Sequence, residues 1–244
     1  MVILVDGALC YRAYGPMGPL SALLSPHFTV FTYDRRGRGD SDNTKPYAIE
    51  REIEDIEALI DEAGGSAFLF GISSGAVLAI QATSKIGGKV KKLALYEAPF
   101  IVDDSRPPIP EDYLTHLNEL IAANRRSEAV KLFLKMVGMP AILIFIMPFM
   151  PGWSKSTAVA HTLPYDIIIT QDDMRGKPLP AKRWASVTVP TLVAVGGKSP
   201  AWMKHGMQAL AGLLPNAQHC ILPGQTHNID PKAIAPILEE FFAG

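Results

Sequence analysis

Ala67-Phe68-Leu69-Phe70-Gly71-Ile72-Ser73-Ser74-Gly75-Ala76 decides the fold class of this chain. Four apolar residues at 67–70 read as a buried strand. A small-residue helix is expected from Ala76 onward, with Gly71-Ile72-Ser73-Ser74-Gly75 as the turn between them. Strand, tight G-x-S-x-G turn and helix form the context in which a serine is raised above a sheet as a nucleophile. Glycine is needed two positions either side of the serine, where a Cβ would collide. Ser73 would then stand at a helix N-terminus, whose free N–H groups suit an oxyanion. A Gly/Ser turn without chemistry is the plain alternative.

The same alternation continues on both sides. Short apolar runs at 2–5, 28–33, 92–96, 191–195 and 218–222 are expected to be strands buried on both faces. Helical patterns separate them at 49–63, 76–85, 201–214 and 232–242. In the first of these, Ile53, Ile56, Leu59 and Ile60 share one face and acidic residues fill the other. The fold class is therefore α/β: a mostly parallel sheet of about six strands flanked by helices. Residues 103–187 break the alternation, with no convincing strand and helical stretches at 112–124 and 127–137. They are expected to form a helical cap on a core made of residues 1–102 and 188–244. Arg106-Pro107-Pro108-Ile109-Pro110 is the stiff connector leading into it.

Composition narrows the partners. The 244 residues are 48% hydrophobic and 19% charged, enough for one large domain with a sizeable core. A formal net charge of -1 offers no electrostatic reason to expect nucleic acid or an anionic membrane. Two cysteines, Cys10 and Cys220, allow one bridge at most, so a reducing, cytoplasmic setting is the simpler expectation. The apolar start at 1–5 ends at Asp6 with no basic stretch before it, unlike a secretory signal. The apolar stretch at 136–153 is interrupted by Pro140, Pro148 and Pro151, which excludes the roughly 20-residue span a membrane helix needs. The partner is expected to be a small molecule, and nothing in the residues implies a metal or an organic cofactor.

A serine nucleophile needs a base. His227, in Gly224-Gln225-Thr226-His227 after the last strand, is the histidine that chain order and topology bring toward the turn at Ser73. Of the other five, His219 lies in a strand, His27 just before one, His205 in a helix, and His116 and His161 in the cap region.

With these residues in place, the chain resembles the α/β-hydrolase superfamily over nearly its whole length. Asp6-Gly7-Ala8 stands where such hydrolases often have His-Gly-x, and the segment from Tyr33 to Ser41 matches a strand and loop common among them. The resemblance implies a serine hydrolase with the Ala8 and Ser74 N–H groups as oxyanion hole. It also implies departures. The chain begins at the strand that normally comes third, so the two N-terminal strands of the full fold are expected to be absent. The acid is missing from its commonest place, where Gly196-Gly197-Lys198-Ser199 stands instead of Gly-x-x-Asp.

The alternative place for the acid, used by haloalkane dehalogenases among others, is the end of the strand after the nucleophile helix. Glu97 stands there, 24 residues beyond Ser73. Asp103, Asp104 and Asp166 are rivals, and Glu97 could instead cap the turn into the helical region. In the cap, Met136, Met139, Phe145, Met147, Phe149 and Trp153 either line an apolar substrate pocket or form the cap's own core, with Trp202 as a further contributor. Arg35 and Arg38 are expected to fix their loop through carboxylate pairs. Hydrolysis of a carboxylic ester with an apolar acyl group through an acyl-enzyme is the leading expectation. Carbon–carbon bond hydrolysis, lactonase or perhydrolase action, or a binding protein that has lost the chemistry, are the alternatives.

Overall fold

The computed structural model describes all residues 1–244. In chain order the elements begin with β1 (Val2–Val5), α1 (Met17–Leu24), β2 (Val30–Thr32), α2 (Ile49–Glu62) and β3 (Ala67–Ile72). Next come α3 (Ser74–Ile86), β4 (Val90–Tyr96), α4 (Tyr113–Ala122), α5 (Arg126–Met136) and α6 (Ala141–Ile146). The last are α7 (Trp153–Ala158), α8 (Leu163–Thr170), β5 (Thr191–Gly196), α9 (Ala201–Leu213), β6 (Ala217–Leu222) and α10 (Pro231–Ala243).

The six strands form one sheet in the order β2-β1-β3-β4-β5-β6, every neighbouring pair parallel. Alternation along the four central strands explains why both their faces are covered, whereas the edge strands β2 and β6, expected to be buried on both faces, are half-buried or exposed. Ile3, Val5, Leu69, Leu93, Leu95, Val193 and Val195 point to one side, against α2, α3 and α9. Val2, Leu4, Phe70, Ala94, Tyr96, Leu192 and Ala194 point to the other, against α1 and α10. Burial of both faces is what parallel strands require. No helix is long and apolar enough to cross a membrane.

The sequence expectation missed α1. Its segment, Gly15-Pro16-Met17-Gly18-Pro19-Leu20, looks like loop, yet Met17, Leu20 and Leu24 are buried on the sheet. Tertiary packing overrides weak helix propensity there.

The topology decides where a site can form. From β1 the chain crosses outward to β2, then returns to the other side of β1 for β3. Such a reversal opens a crevice at the carboxyl ends of the two central strands. Residues 6–8 follow β1 there, and Ser73 follows β3.

Between β4 and β5 the chain contains α4 to α8 and no strand. This layer has a core of its own, including Leu117, Val130, Leu134, Leu163 and Ile167. Leu179, Trp184 and Val187, at its end, pack instead with the sheet-side core.

Candidate active site

The turn after β3 is strained in the way a raised serine demands. Ser73 has φ 58° and ψ −129°, a left-handed φ that L-residues seldom adopt. The strain is held by the surroundings. A Cβ on Gly71 would sit 2.7 Å from Ala76 Cα, so α3 could not follow β3 so closely. The Ser73 N–H donates to the Tyr96 carbonyl at 2.9 Å. The Ser73 hydroxyl does not cap α3 and is free for other work.

Gly7 brings the loop after β1 against the same point, since a Cβ there would stand 3.0 Å from Ser73 Cβ. Ala8, Ser73 and Ser74 line one cavity. Ser74 opens α3, where an N–H has no intrahelical acceptor. Nor does the Ala8 N–H donate to any protein acceptor.

Glu97, at the end of β4, is fully buried and also has a left-handed φ, 50°. Its Oε2 lies 2.8 Å from Nδ1 of His227. A carboxylate only accepts, so Nδ1 carries the proton and Nε2 is left as the acceptor. The other oxygen, Oε1, accepts from the Gly196 N–H at 2.7 Å and from the Ser199 hydroxyl at 2.5 Å. Burial alone would push this carboxyl up. The bonds from His227, Ser199 and Gly196 outweigh it and hold the group below the usual carboxylate range. The Tyr96 hydroxyl pins the histidine loop by donating to the Thr226 carbonyl at 2.7 Å. Ser199 thus serves the carboxylate that reaches in from the neighbouring strand.

The rival acids are placed elsewhere. Asp103 pairs with His205 at 2.6 Å in an exposed setting. Asp166, in α8, is buried and accepts from Arg35 at 2.9 Å, from Arg38 at 2.7 and 2.8 Å and from the Ser74 hydroxyl at 2.7 Å. Burial raises its pKa, but the two arginines outweigh that and hold it below the usual range. Arg35 also forks onto buried Glu52, at 2.7 and 2.8 Å. The basic run at 35–38 is therefore a tie between the loop after β2, α2 and α8. Asp166→Ala should destabilise the fold by about 3–5 kcal/mol, because it strands a buried guanidinium. Urea unfolding reads this, and a loss below about 1 kcal/mol would show the tie to be dispensable.

Asp6 lies beside this tie, buried, with Oδ1 lacking any hydrogen-bond partner. Burial pushes its pKa up to about 7, against the pull of Arg38 and Arg35. A carboxyl raised in the folded state costs stability as pH climbs from its unfolded value near 4 to about 7, and nothing below that window. Asp6→Asn should therefore stabilise the protein at pH 8, by up to about 4 kcal/mol, with the gain vanishing near pH 4. Thermal unfolding across that range checks it, and a pH-independent difference in Tm would refute it.

The cavity over Ser73 is small, about 30 Å³. Of the expected pocket residues, Met136 and Trp202 line it. The others do not. Met139 faces a separate groove with His116 and Lys131, and Met147 and Trp153 pack at the margin of the helical layer's core. Phe145 and Phe149 are 69% and 83% exposed. The physical reason is that α6 packs chiefly against α5 and the turn after it, and leaves most of its apolar side chains exposed. The walls come instead from α5 (Phe133, Met136), from Val137 just after it, and from Ile167 and Thr170 of α8, Met174, Pro99 and Arg106. Spacing of three and four between Phe133, Met136 and Val137 was the available signal.

Residues 4–237 match the model of a family described as the alpha/beta hydrolase family. The chain is similar to the crystal structure of an alpha/beta hydrolase from Sphaerobacter thermophilus, with 52% identity and a TM-score of 0.90 over 99% of this chain and 91% of that one. It is also similar to a thermophilic esterase from Thermogutta terrifontis, with 20% identity and a TM-score of 0.69 over 99% and 89% of the two chains. For 2-hydroxy-6-oxo-6-phenylhexa-2,4-dienoate hydrolase from Rhodococcus sp. strain RHA1 the identity is 20% and the TM-score 0.72, over 100% and 90%. The last two likenesses concern the fold alone.

Proposed function

We propose that this chain, which belongs to the alpha/beta hydrolase family, is a serine hydrolase that cleaves carboxylic esters through an acyl-enzyme on Ser73. The observation that carries the reading is the buried Glu97 carboxylate 2.8 Å from Nδ1 of His227, which leaves Nε2 as the free base. In the first half, Nε2 takes the Ser73 proton as Oγ bonds to the ester carbonyl carbon. The Ala8 and Ser74 N–H groups receive the negative oxygen. The carbon–oxygen bond to the alcohol then breaks, and the departing oxygen takes the proton from His227. In the second half, water gives a proton to His227 and its oxygen bonds to the acyl carbon. The acyl bond to Oγ breaks, the proton returns to Ser73, and the free acid leaves.

Residues 103–187 act as the cap in this reading, because eight of the thirteen residues that line the cavity over Ser73 come from this segment. The largely apolar wall favours an apolar acyl chain. Both cysteines are free, which fits the cytoplasm. Other acyl transfers on the same residues, lactone opening among them, use the same steps, since fold does not choose a substrate. The experiment is hydrolysis of short p-nitrophenyl esters by the purified chain. Saturable release of p-nitrophenolate supports the proposal, and release no faster than with buffer overturns it.

A further inference from the structure

Arg106 is the guanidinium that the chemistry above leaves unused. It sits in the connector between β4 and α4 and lines the same cavity as Ser73 and Ser74. Its guanidinium carbon lies over the Trp202 ring, 4.4 Å from the ring centroid, and the group donates to the Met136 carbonyl. No carboxylate pairs with it. The contrast with the other arginines of the site is sharp, because Arg35 and Arg38 both hold acidic partners at 2.7 Å. Burial lowers the pKa of Arg106 and no neighbouring negative charge opposes that shift. The one carboxylate in the cavity wall, Asp166, has its oxygens committed to Arg35, Arg38 and Ser74.

A partly desolvated cation without a counter-ion is costly to keep, and a guanidinium fork held against an aromatic ring is suited to a carboxylate. The walls around it, including Phe133, Met136 and Ile167, are apolar. We infer that Arg106 selects substrates bearing a free carboxylate, so that the natural ester or lactone presents an apolar chain and an acid group to one cavity. This rests on the ester-hydrolase reading and names its substrate class. Arg106 gives the acid a fixed end point in the cavity that Ser73 also lines.

The test uses mono-4-nitrophenyl esters of succinic, glutaric and adipic acid, each against its methyl-capped neutral counterpart. At least one acid ester should exceed its neutral twin by tenfold or more in kcat/KM. Arg106→Gln should erase that ratio, chiefly through KM, and Arg106→Lys should keep part of it. A guanidinium that merely stitches the connector to α5 and α9 would, when lost, slow both twins alike. Wild type with no acid preference, or a preference that survives Arg106→Gln, overturns the inference while ester hydrolysis itself stands. Should no ester of either kind turn over, calorimetric titration with glutarate decides the anion site separately. Binding lost in Arg106→Gln upholds it, and no binding to wild type overturns it.

Discussion

Ser73→Ala is expected to reduce ester turnover by a factor on the order of 10⁶, to the level left by binding and oxyanion donors alone. The size of the effect follows from what is removed. Without Oγ no acyl-enzyme forms, and a water would have to attack without a positioned nucleophile. The fold should survive, because the hydroxyl does not cap α3 and the turn is held by backbone contacts that alanine keeps. Alanine inherits the φ of 58° at a cost similar to that of serine. Circular dichroism and Tm should match wild type while p-nitrophenyl butyrate turnover disappears. Turnover at the wild-type rate would place the nucleophile elsewhere.

Glu97→Gln is expected to lower kcat by about 10⁴ with little change in KM. The amide oxygen can still accept from the Gly196 N–H and the Ser199 hydroxyl, which hold one side of the carboxylate at 2.7 and 2.5 Å. The amide NH₂ is then turned toward Nδ1 of His227 and must donate to it. His227 is driven into the opposite tautomer, with its proton on Nε2, where it cannot accept from Ser73. The imidazolium of the transition state also loses its counter-charge. Ser199→Ala removes one hydrogen bond and leaves the charge and the tautomer alone, so a loss of about tenfold is expected. Stopped-time kinetics on the two variants separates the roles. Equal losses would mean that Glu97 acts only as packing. Because Glu97 is held below the usual carboxylate range, its contribution to stability persists above its unfolded pKa and fades only as pH falls through the folded value.

How much of this was readable in the residues can be judged element by element. The central strands were plain, because burial on both faces turns them into uninterrupted apolar runs such as Val2–Val5 and Thr191–Gly196. The edge strand β2 is three residues long, Val30–Thr32, where residues 28–33 look equally apolar, because pairing on one side only sets its ends. Carboxylate pairs for Arg35 and Arg38 were expected as loop ties, though Asp166 as the shared partner was not. That partner is 131 positions from Arg35 and reached only through the packing of α8.

The acid beside His227 had a local signal, a glutamate closing an apolar strand, and a partner 130 positions away that chain order and topology suggested. The cavity had almost none. Its wall joins α5, α8, Met174 and the connector at Arg106, whereas of the apolar candidates along 136–153 only Met136 reaches it and Phe145 and Phe149 are exposed. Arg106 lay in a segment whose prolines announced only stiffness.

The central claim, a nucleophilic Ser73 activated by His227 and Glu97, is tested most directly by covalent labelling. The wild-type chain is treated with a fluorophosphonate, and the adduct is located by peptide mass spectrometry. One adduct per chain on Ser73 is predicted, absent from Ser73→Ala and formed far more slowly in Glu97→Gln. A chain that stays unlabelled, or carries its adduct on another residue, would contradict the account.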